Sequence, residues 1–297
     1  MTLFGEFLRN DHRRMHKWYQ YFPAYEAHFA RFRNRHVTLF EIGVGEGGAL
    51  DLWRGYLGPF ATLVGLDVYP RCRQLEGEQI HIRIGSQTDL GFLAAVVAEF
   101  GAPDIVIDDG SHLQHHINAT FDFLYPKVAK NGVYLVEDLH AAYWPNHGGG
   151  LCRPGTFIET AKAYVDKIHA DYIGETSIRT EAGDRTTSIH FYDSLVVFEV
   201  GEARKMMNKT TGQNERFDGT WAPEGTDKTE FSKLVDQIVD NIEKEGPEWE
   251  TDPINDDRDA IIRNLQAELT LLRISSSWRM TEPVRAVLRL LRRRRMA

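Results

Sequence analysis

From residue 37 the chain alternates short apolar runs with amphipathic ones. VTLFEIGVG (37–45), ATLVGLDVYP (61–70), IHIRIGSQTD (80–89), APDIVIDDGSH (102–112) and GVYLVEDLH (132–140) are rich in β-branched residues and end in glycines or acids. Such runs read as buried strands. GGALDLWRGYL, LGFLAAVVAEF and INATFDFLYPKVAK lie between them with helical spacing. Strands alternating with helices predict an α/β protein with a doubly wound, mostly parallel sheet. Beyond the loop PNHGGGLCRPG the pattern predicts a helix from Thr156 to about Tyr172 and two late strands around TSIRT and SIHFYDSLVVFEV. Those two lack a helix-length connection, so they are expected as an antiparallel edge hairpin that completes seven strands.

The flanks have a different texture. Residues 1–36 read as a helical, aromatic cap, and its His, Trp, Tyr and Phe side chains are expected to pack on the domain face, with a lid over a site as the second reading. The α/β domain is bounded at 37–205. Residues 206–254 form a polar linker with a helix over 231–245, and residues 255–297 are C-terminal helices, the last opened by Glu282-Pro283.

Composition narrows the class. The 297 residues are 42% hydrophobic and 26% charged, enough for a full core and unlike a disordered chain. No apolar run reaches the ~18 residues of a membrane span, and the N-terminus has no secretory-type apolar stretch. Two cysteines, Cys72 and Cys152, suit a reducing, cytoplasmic setting. The formal charge is −8, yet residues 285–297 hold six arginines and no acid, leaving −14 on the remainder. An acidic body argues against a nucleic-acid partner.

The first predicted strand ends Glu41-Ile42-Gly43-Val44-Gly45-Glu46-Gly47-Gly48. Its glycines match the G-x-G-x-x-G spacing that admits a nucleoside cofactor at a strand's carboxyl end. Glu41 shares a strand face with Gly43, and a carboxylate there suits a cofactor with an ammonium and a sulfonium better than one with a pyrophosphate. Asp67 ends the second strand, positioned for ribose hydroxyls. Ser86 and Gln87 follow the third, where an adenine edge would lie, and Asp108 ends the fourth. The set for the cofactor is thus Glu41, Gly43, Gly45, Asp67, Ser86, Gln87 and Asp108.

The fourth strand runs out in Asp108-Asp109-Gly110-Ser111-His112 and the fifth in Glu137-Asp138-Leu139-His140. Neighbouring strands lie about 4.8 Å apart, so Asp109, Glu137 and Asp138 converge if these strands are adjacent. Three carboxylates so placed repel unless protonated or bound to a cation, and hard oxygens favour Mg2+. His112, one short turn beyond Asp109, is the candidate base for a hydroxyl proton; His115, His116 and His140 compete.

FEIGVGEGGALDLW, GLDVYP, IVIDDGSH, YLVEDLHAAYW and SIHFYDSLVVFE, with HKWYQYFPAYEAHFARF before them, resemble the S-adenosylmethionine- and Mg2+-dependent sugar O-methyltransferases typified by macrolide sugar methyltransferases, and the related cephalosporin hydroxylase-like proteins. The resemblance spans roughly residues 10–200. It implies a class I, Rossmann-like methyltransferase fold, Mg2+ on Asp109, Glu137 and Asp138, His112 as base, and S-adenosylmethionine on Glu41, Gly43, Gly45 and Asp67. The sequence departs from it in lacking the large N-terminal auxiliary domain of some members and in carrying a C-terminal extension. Acceptor identity and oligomeric state, a homo-oligomer included, therefore do not carry over.

The acceptor pocket is expected among the N-terminal aromatics, Tyr143, Trp144 and Gly148 to Gly150. SSSWRMTEPVRAVLRLLRR reads as a basic amphipathic helix for an anionic membrane surface or a protein partner. It also resembles a C-terminal element of surface-polysaccharide enzymes, which implies a glycan acceptor at the inner face of the cytoplasmic membrane. Alternatives are methylation of another small hydroxylated product, a non-catalytic scaffold in glycan assembly, and, more remotely, a nicotinamide-dependent oxidoreductase.

Overall fold

The computed structural model describes residues 2–173 and 178–202, with Lys209, Thr211, Lys233 and Gln237 as isolated positions beyond. The chain divides into two units, Met1–Lys209 and Thr210–Ala297, and every element named here belongs to the first. Apart from Lys233 and Gln237, the predicted linker helix lies outside the described residues, as does the basic tail.

The apolar runs form β1 (Val37–Ile42), β2 (Ala61–Asp67), β3 (Ile80–Ile84), β4 (Ile105–Asp108), β5 (Val133–Val136), β6 (Thr186–Tyr192) and β7 (Leu195–Val200) of one sheet, ordered β3-β2-β1-β4-β5-β7-β6. β1 to β5 run parallel, and β7 and β6 close the edge antiparallel. Both hairpin strands come from the SIHFYDSLVVFEV run, because Asp193-Ser194 supplies a tight turn with Ser194 at φ +62°. Residues 178–180, the described part of TSIRT, are not the other strand: Thr180 instead caps a short helix over Glu181–Arg185, its hydroxyl accepting from Gly183 N at 3.0 Å.

Helices α3 (Gly48–Leu57), α4 (Leu90–Phe100), α5 (Gln114–Leu124) and α6 (Phe157–Ile168) cover the sheet, after α1 (Leu3–Leu8) and α2 (Phe22–Phe29). α4 starts at Asp89, whose carboxylate accepts from Phe92 N at 3.0 Å, and stops at Gly101 in a left-handed conformation. None of the described helices is long and apolar enough to cross a membrane.

Residues 1–36 are less helical than their composition suggests. Asn10 to Trp18 form a non-helical strap. Asn10 spends its side chain on Arg13 O at 2.9 Å and on His12 N at 3.2 Å, which offers the backbone an alternative to helix. The aromatics after it pack as expected, with Tyr21, Phe22, Tyr25 and Phe29 buried and Tyr25 edge-on to Trp53 at 5.1 Å. Truncating so central a ring as Trp53 to alanine costs about 3–5 kcal/mol.

Strand alternation sorts the core into two layers. Leu39, Ile105, Ile107, Val133 and Leu135 face the N-terminal aromatics and α3. Phe40, Ile42, Val106, Tyr134 and Val136 face α4, α5 and α6. This parity positions the site. Glu41, Asp109 and Glu137 continue the first series, two residues on from Leu39, Ile107 and Leu135, while Asp108 continues the second from Val106.

Candidate active site

The carboxyl ends of β1, β4 and β5 meet because Ile42 registers with Asp108 and Asp108 with Val136. Asp109 and Glu137 then leave adjacent strand ends, with Glu137 N donating to Asp108 O at 3.0 Å. Above them opens a cavity of about 600 Å3, walled by Lys17 and Trp18 of the strap, Glu41, the loop Gly43 to Gly45, Asp67, Asp109, His112, Glu137 and Asp138. A second cavity of about 360 Å3 shares Gly43, Asp67, Tyr69 and Gly110 with it and extends to Ser86, Gln87 and His116.

The glycine loop is shaped by close approach. Gly43 lies at φ +88°, and a Cβ there would sit 2.0 Å from Asp109 O, so only glycine lets β1 turn against the end of β4. Asp67 reinforces the loop: Oδ2 accepts from Val44 N at 2.9 Å and Gly45 N at 3.3 Å, and Oδ1 from Tyr69 N at 2.9 Å. Oδ1, with one backbone donor, keeps acceptor capacity, and Asp67 borders both cavities.

Glu41 and Glu137 are the buried acids bordering the larger cavity. Trp53 Nε1 donates to Glu41 Oε1 at 3.4 Å, and among the described residues Glu41 Oε2 is buried without a hydrogen-bond partner. Burial pushes this carboxyl up to about 7, although Lys17 pulls it down.

The acids beyond β4 and β5 are handled unequally. Asp109, His112 and Asp138 each offer a ligand atom, all within 4.8 Å of one another. His112 Nε2 lies 3.6 Å from Asp138 Oδ2, and Tyr21 OH donates to Asp138 Oδ1 at 2.8 Å. Glu137 is not in that trio. It is buried, its Oε1 accepts from Tyr25 OH at 2.7 Å, and its Oε2 accepts from Lys17 Nζ at 2.8 Å. Lys17 Nζ also donates to Asp109 Oδ2 at 2.7 Å. Burial and the Asp109 charge push the Glu137 carboxyl up, with Lys17 pulling back.

Asp108 and Gln87 sit differently from the rest of the predicted cofactor set. Asp108 is buried on the opposite sheet face, borders neither cavity, and has its carboxyl pushed up to about 7 by burial. Gln87 borders the smaller cavity, but its amide donates to Thr120 Oγ1 at 3.0 Å and Asp108 Oδ1 at 3.2 Å, and its carbonyl accepts from Ser111 N at 3.0 Å. It braces the β4 turn. Of the histidines, His112 alone borders the larger cavity beside the acids, apart from His16 of the strap. His116 pairs with Ser111 Oγ, and His140 with Ser194 Oγ and the ring of Trp144 at 4.6 Å.

Lys17 and Tyr21 were not legible as site residues. Both stand in MHKWYQYFP, where a lone lysine among aromatics carries no spacing signal. Only their 120- and 117-residue-distant partners reveal them.

The strand order, glycine loop and antiparallel edge define a class I methyltransferase fold. No family model matches the chain. Over 196 residues it is 37% identical to 8-demethyl-8-(2-methoxy-alpha-L-rhamnosyl)-tetracenomycin-C 3'-O-methyltransferase of Streptomyces olivaceus, covering 62% of this chain and 50% of that protein. It is 35% identical over 192 residues to demethylmacrocin O-methyltransferase of Streptomyces fradiae, covering 60% and 48%. A solved structure of MycE methyltransferase from the mycinamycin biosynthetic pathway, in complex with Mg and SAH, superposes with a TM-score of 0.58 at 31% identity, covering 62% of this chain and 49% of that one. The chain is thus similar to these O-methyltransferases, and it spans about half the length of the curated relatives it matches.

Proposed function

We propose that this chain is an S-adenosylmethionine-dependent, Mg2+-assisted O-methyltransferase acting on a sugar hydroxyl of a glycoside. The observation that carries the reading is the buried, unpartnered Oε2 of Glu41 in the same cavity as Asp109, His112 and Asp138. A buried acceptor oxygen without a donor is costly, and a cationic donor from a ligand relieves it. The ammonium end of S-adenosylmethionine has that charge, so the residues fit the cofactor. Asp67, with capacity left on Oδ1, suits a ribose hydroxyl, and the smaller cavity suits the base.

The acids also fit a hard divalent ion, with Asp109 and Asp138 as its holders and Glu137 committed to Lys17 and Tyr25. When bound, S-adenosylmethionine supplies an electrophilic methyl group and Mg2+ a positive charge beside the acceptor oxygens. His112 takes the hydroxyl proton on Nε2. Asp138 faces that nitrogen and steadies the positive imidazolium, while Tyr21 holds Asp138 in place. The strap and the glycine loop wall the cavity. Trp18, His140 and Trp144 stand in series, their rings 6.1 and 4.6 Å apart, and give flat faces for a sugar ring beside the acids.

The tetracenomycin relative is named for a rhamnosyl-bearing acceptor. A surface glycan, and contact with the cytoplasmic membrane from inside, find support only in the basic tail, so the glycoside reading is preferred. The test is calorimetric titration with S-adenosylhomocysteine followed by turnover on rhamnosyl glycosides with and without Mg2+. Binding with Mg2+-stimulated transfer to a sugar hydroxyl is expected. Failure to bind S-adenosylhomocysteine, or full transfer after EDTA treatment, overturns the corresponding half of the reading.

A further inference from the structure

Lys17 is a lysine buried in a site already rich in acids. Its side chain is 2% exposed, and its ammonium donates to Asp109 Oδ2 at 2.7 Å and Glu137 Oε2 at 2.8 Å. It is also the inner end of the strap. Arg13 and Arg14 carbonyls press on the start of α3, where a Cβ on Gly48 would lie 2.5 and 2.6 Å from them. Arg13 is further tied to Leu75 O at 3.3 Å and to Asp51 at 3.6 Å. Strap residues from Arg14 to Trp18 wall the same cavity that Glu41 borders.

We propose that Lys17 is a positioning residue: a built-in cation that sets the charge of the acid cluster to match one divalent ion and pins the strap over the cofactor cavity. The inference rests on the functional reading above. Its charge logic is simple. Asp109, Glu137 and Asp138 together bear three formal negative charges, and one ammonium leaves two. A divalent ion then brings these groups to formal neutrality, which matters most for Lys17 and Glu137, whose side chains are each 2% exposed. The geometry agrees, because Lys17 takes Glu137 and one oxygen of Asp109, leaving the other Asp109 oxygen and Asp138 to the ion. Either buried member of the Lys17–Glu137 pair, left alone, carries a desolvation cost.

This double role predicts opposite changes in two affinities, which a merely structural residue would not produce. In Lys17→Met the cluster gains a net negative charge, so Mn2+, read by electron paramagnetic resonance, binds at least about tenfold tighter. The strap loses its anchor, so S-adenosylhomocysteine binds about tenfold or more weakly, and trypsin releases the 1–14 fragment after exposed Arg14 faster. Lys17→Arg restores the wild-type Mn2+ affinity and strap protection. Should Lys17→Met not fold, the wild type still decides the strap's part: S-adenosylhomocysteine must slow cleavage after Arg14, and Lys17→Arg must keep Mn2+ affinity near wild type. Mn2+ binding unchanged or weaker in Lys17→Met overturns the proposal, as does cleavage after Arg14 indifferent to both the variant and the ligand. A wild type that binds no S-adenosylhomocysteine overturns the functional reading instead, while the Mn2+ and variant-cleavage comparisons continue to test Lys17.

Discussion

His112 and Asp138 meet at 3.6 Å, Nε2 to Oδ2, and both reach that meeting with left-handed backbone, φ +56° and φ +50°. Non-glycine residues adopt this conformation at a cost, and His and Asp are among those that tolerate it best. The cost accompanies proximity: the two strained positions bring their side chains together beside one cavity. Two such residues facing one cavity mark a place where local comfort yields to geometry.

The imidazole is expected to carry the proton transfer. His112→Ala should lower turnover by about 10² or more while leaving S-adenosylhomocysteine affinity within a few-fold. Steady-state kinetics beside calorimetric binding checks this. Turnover near wild type would move the base to another group.

Tyr21 is expected to act through Asp138. Its hydroxyl donates to Asp138 Oδ1 at 2.8 Å and borders Ser194 Oγ at 3.0 Å. Tyr21→Phe should cost about 1 kcal/mol of stability and weaken Mn2+ binding, without altering S-adenosylhomocysteine binding. Equal loss of both affinities would show general damage rather than a slackened Asp138.

Glu41 sets stability against binding. Its carboxyl, pushed up to about 7 by burial, must ionise in a poor environment above neutrality. Glu41→Gln should therefore stabilise the ligand-free protein at pH 8 by about 1–3 kcal/mol, yet weaken S-adenosylhomocysteine binding by tenfold or more. Chemical denaturation and calorimetry together read the two signs. A variant that loses both stability and binding would refute the trade-off.

The same acids fix the pH dependence of the empty protein. Glu41 and Asp108 are both pushed up to about 7 by burial. Between the ordinary carboxylate range and pH 7 the folded chain thus holds protons that the unfolded chain has released. Stability from these groups is full below the unfolded pKa and is lost as pH rises through 7. Thermal denaturation should show Tm falling from pH 5 to pH 8 without ligand, with S-adenosylhomocysteine recovering part of the loss at pH 8. A Tm rising across that window would contradict the assignment.

Several features were already written in the residues. Alternation of β-branched runs with amphipathic ones announced the parallel strands and their helices, because a buried parallel sheet needs apolar residues on both faces. The acids at strand ends were legible for the same reason. An isolated carboxylate closing an apolar run has nowhere to go but the sheet's carboxyl edge, and Asp109, Glu137 and Asp138 do gather there.

What the sequence could not state was which acid serves which partner. Side-chain parity sends Asp108 to the α5 face and Asp109 to the N-terminal face, though they are neighbours in the chain. Gln87 was read as a base contact, and turns inward because the β4 turn and Asp108 supply partners for its whole amide. Lys17 was invisible, since an ion pair across 92 and 120 residues leaves no local periodicity. Local pattern thus determined strands, helices and the edge where chemistry gathers. Only the tertiary structure decided the pairing of charges, because burial makes an ionised group depend on partners that distant segments bring to it.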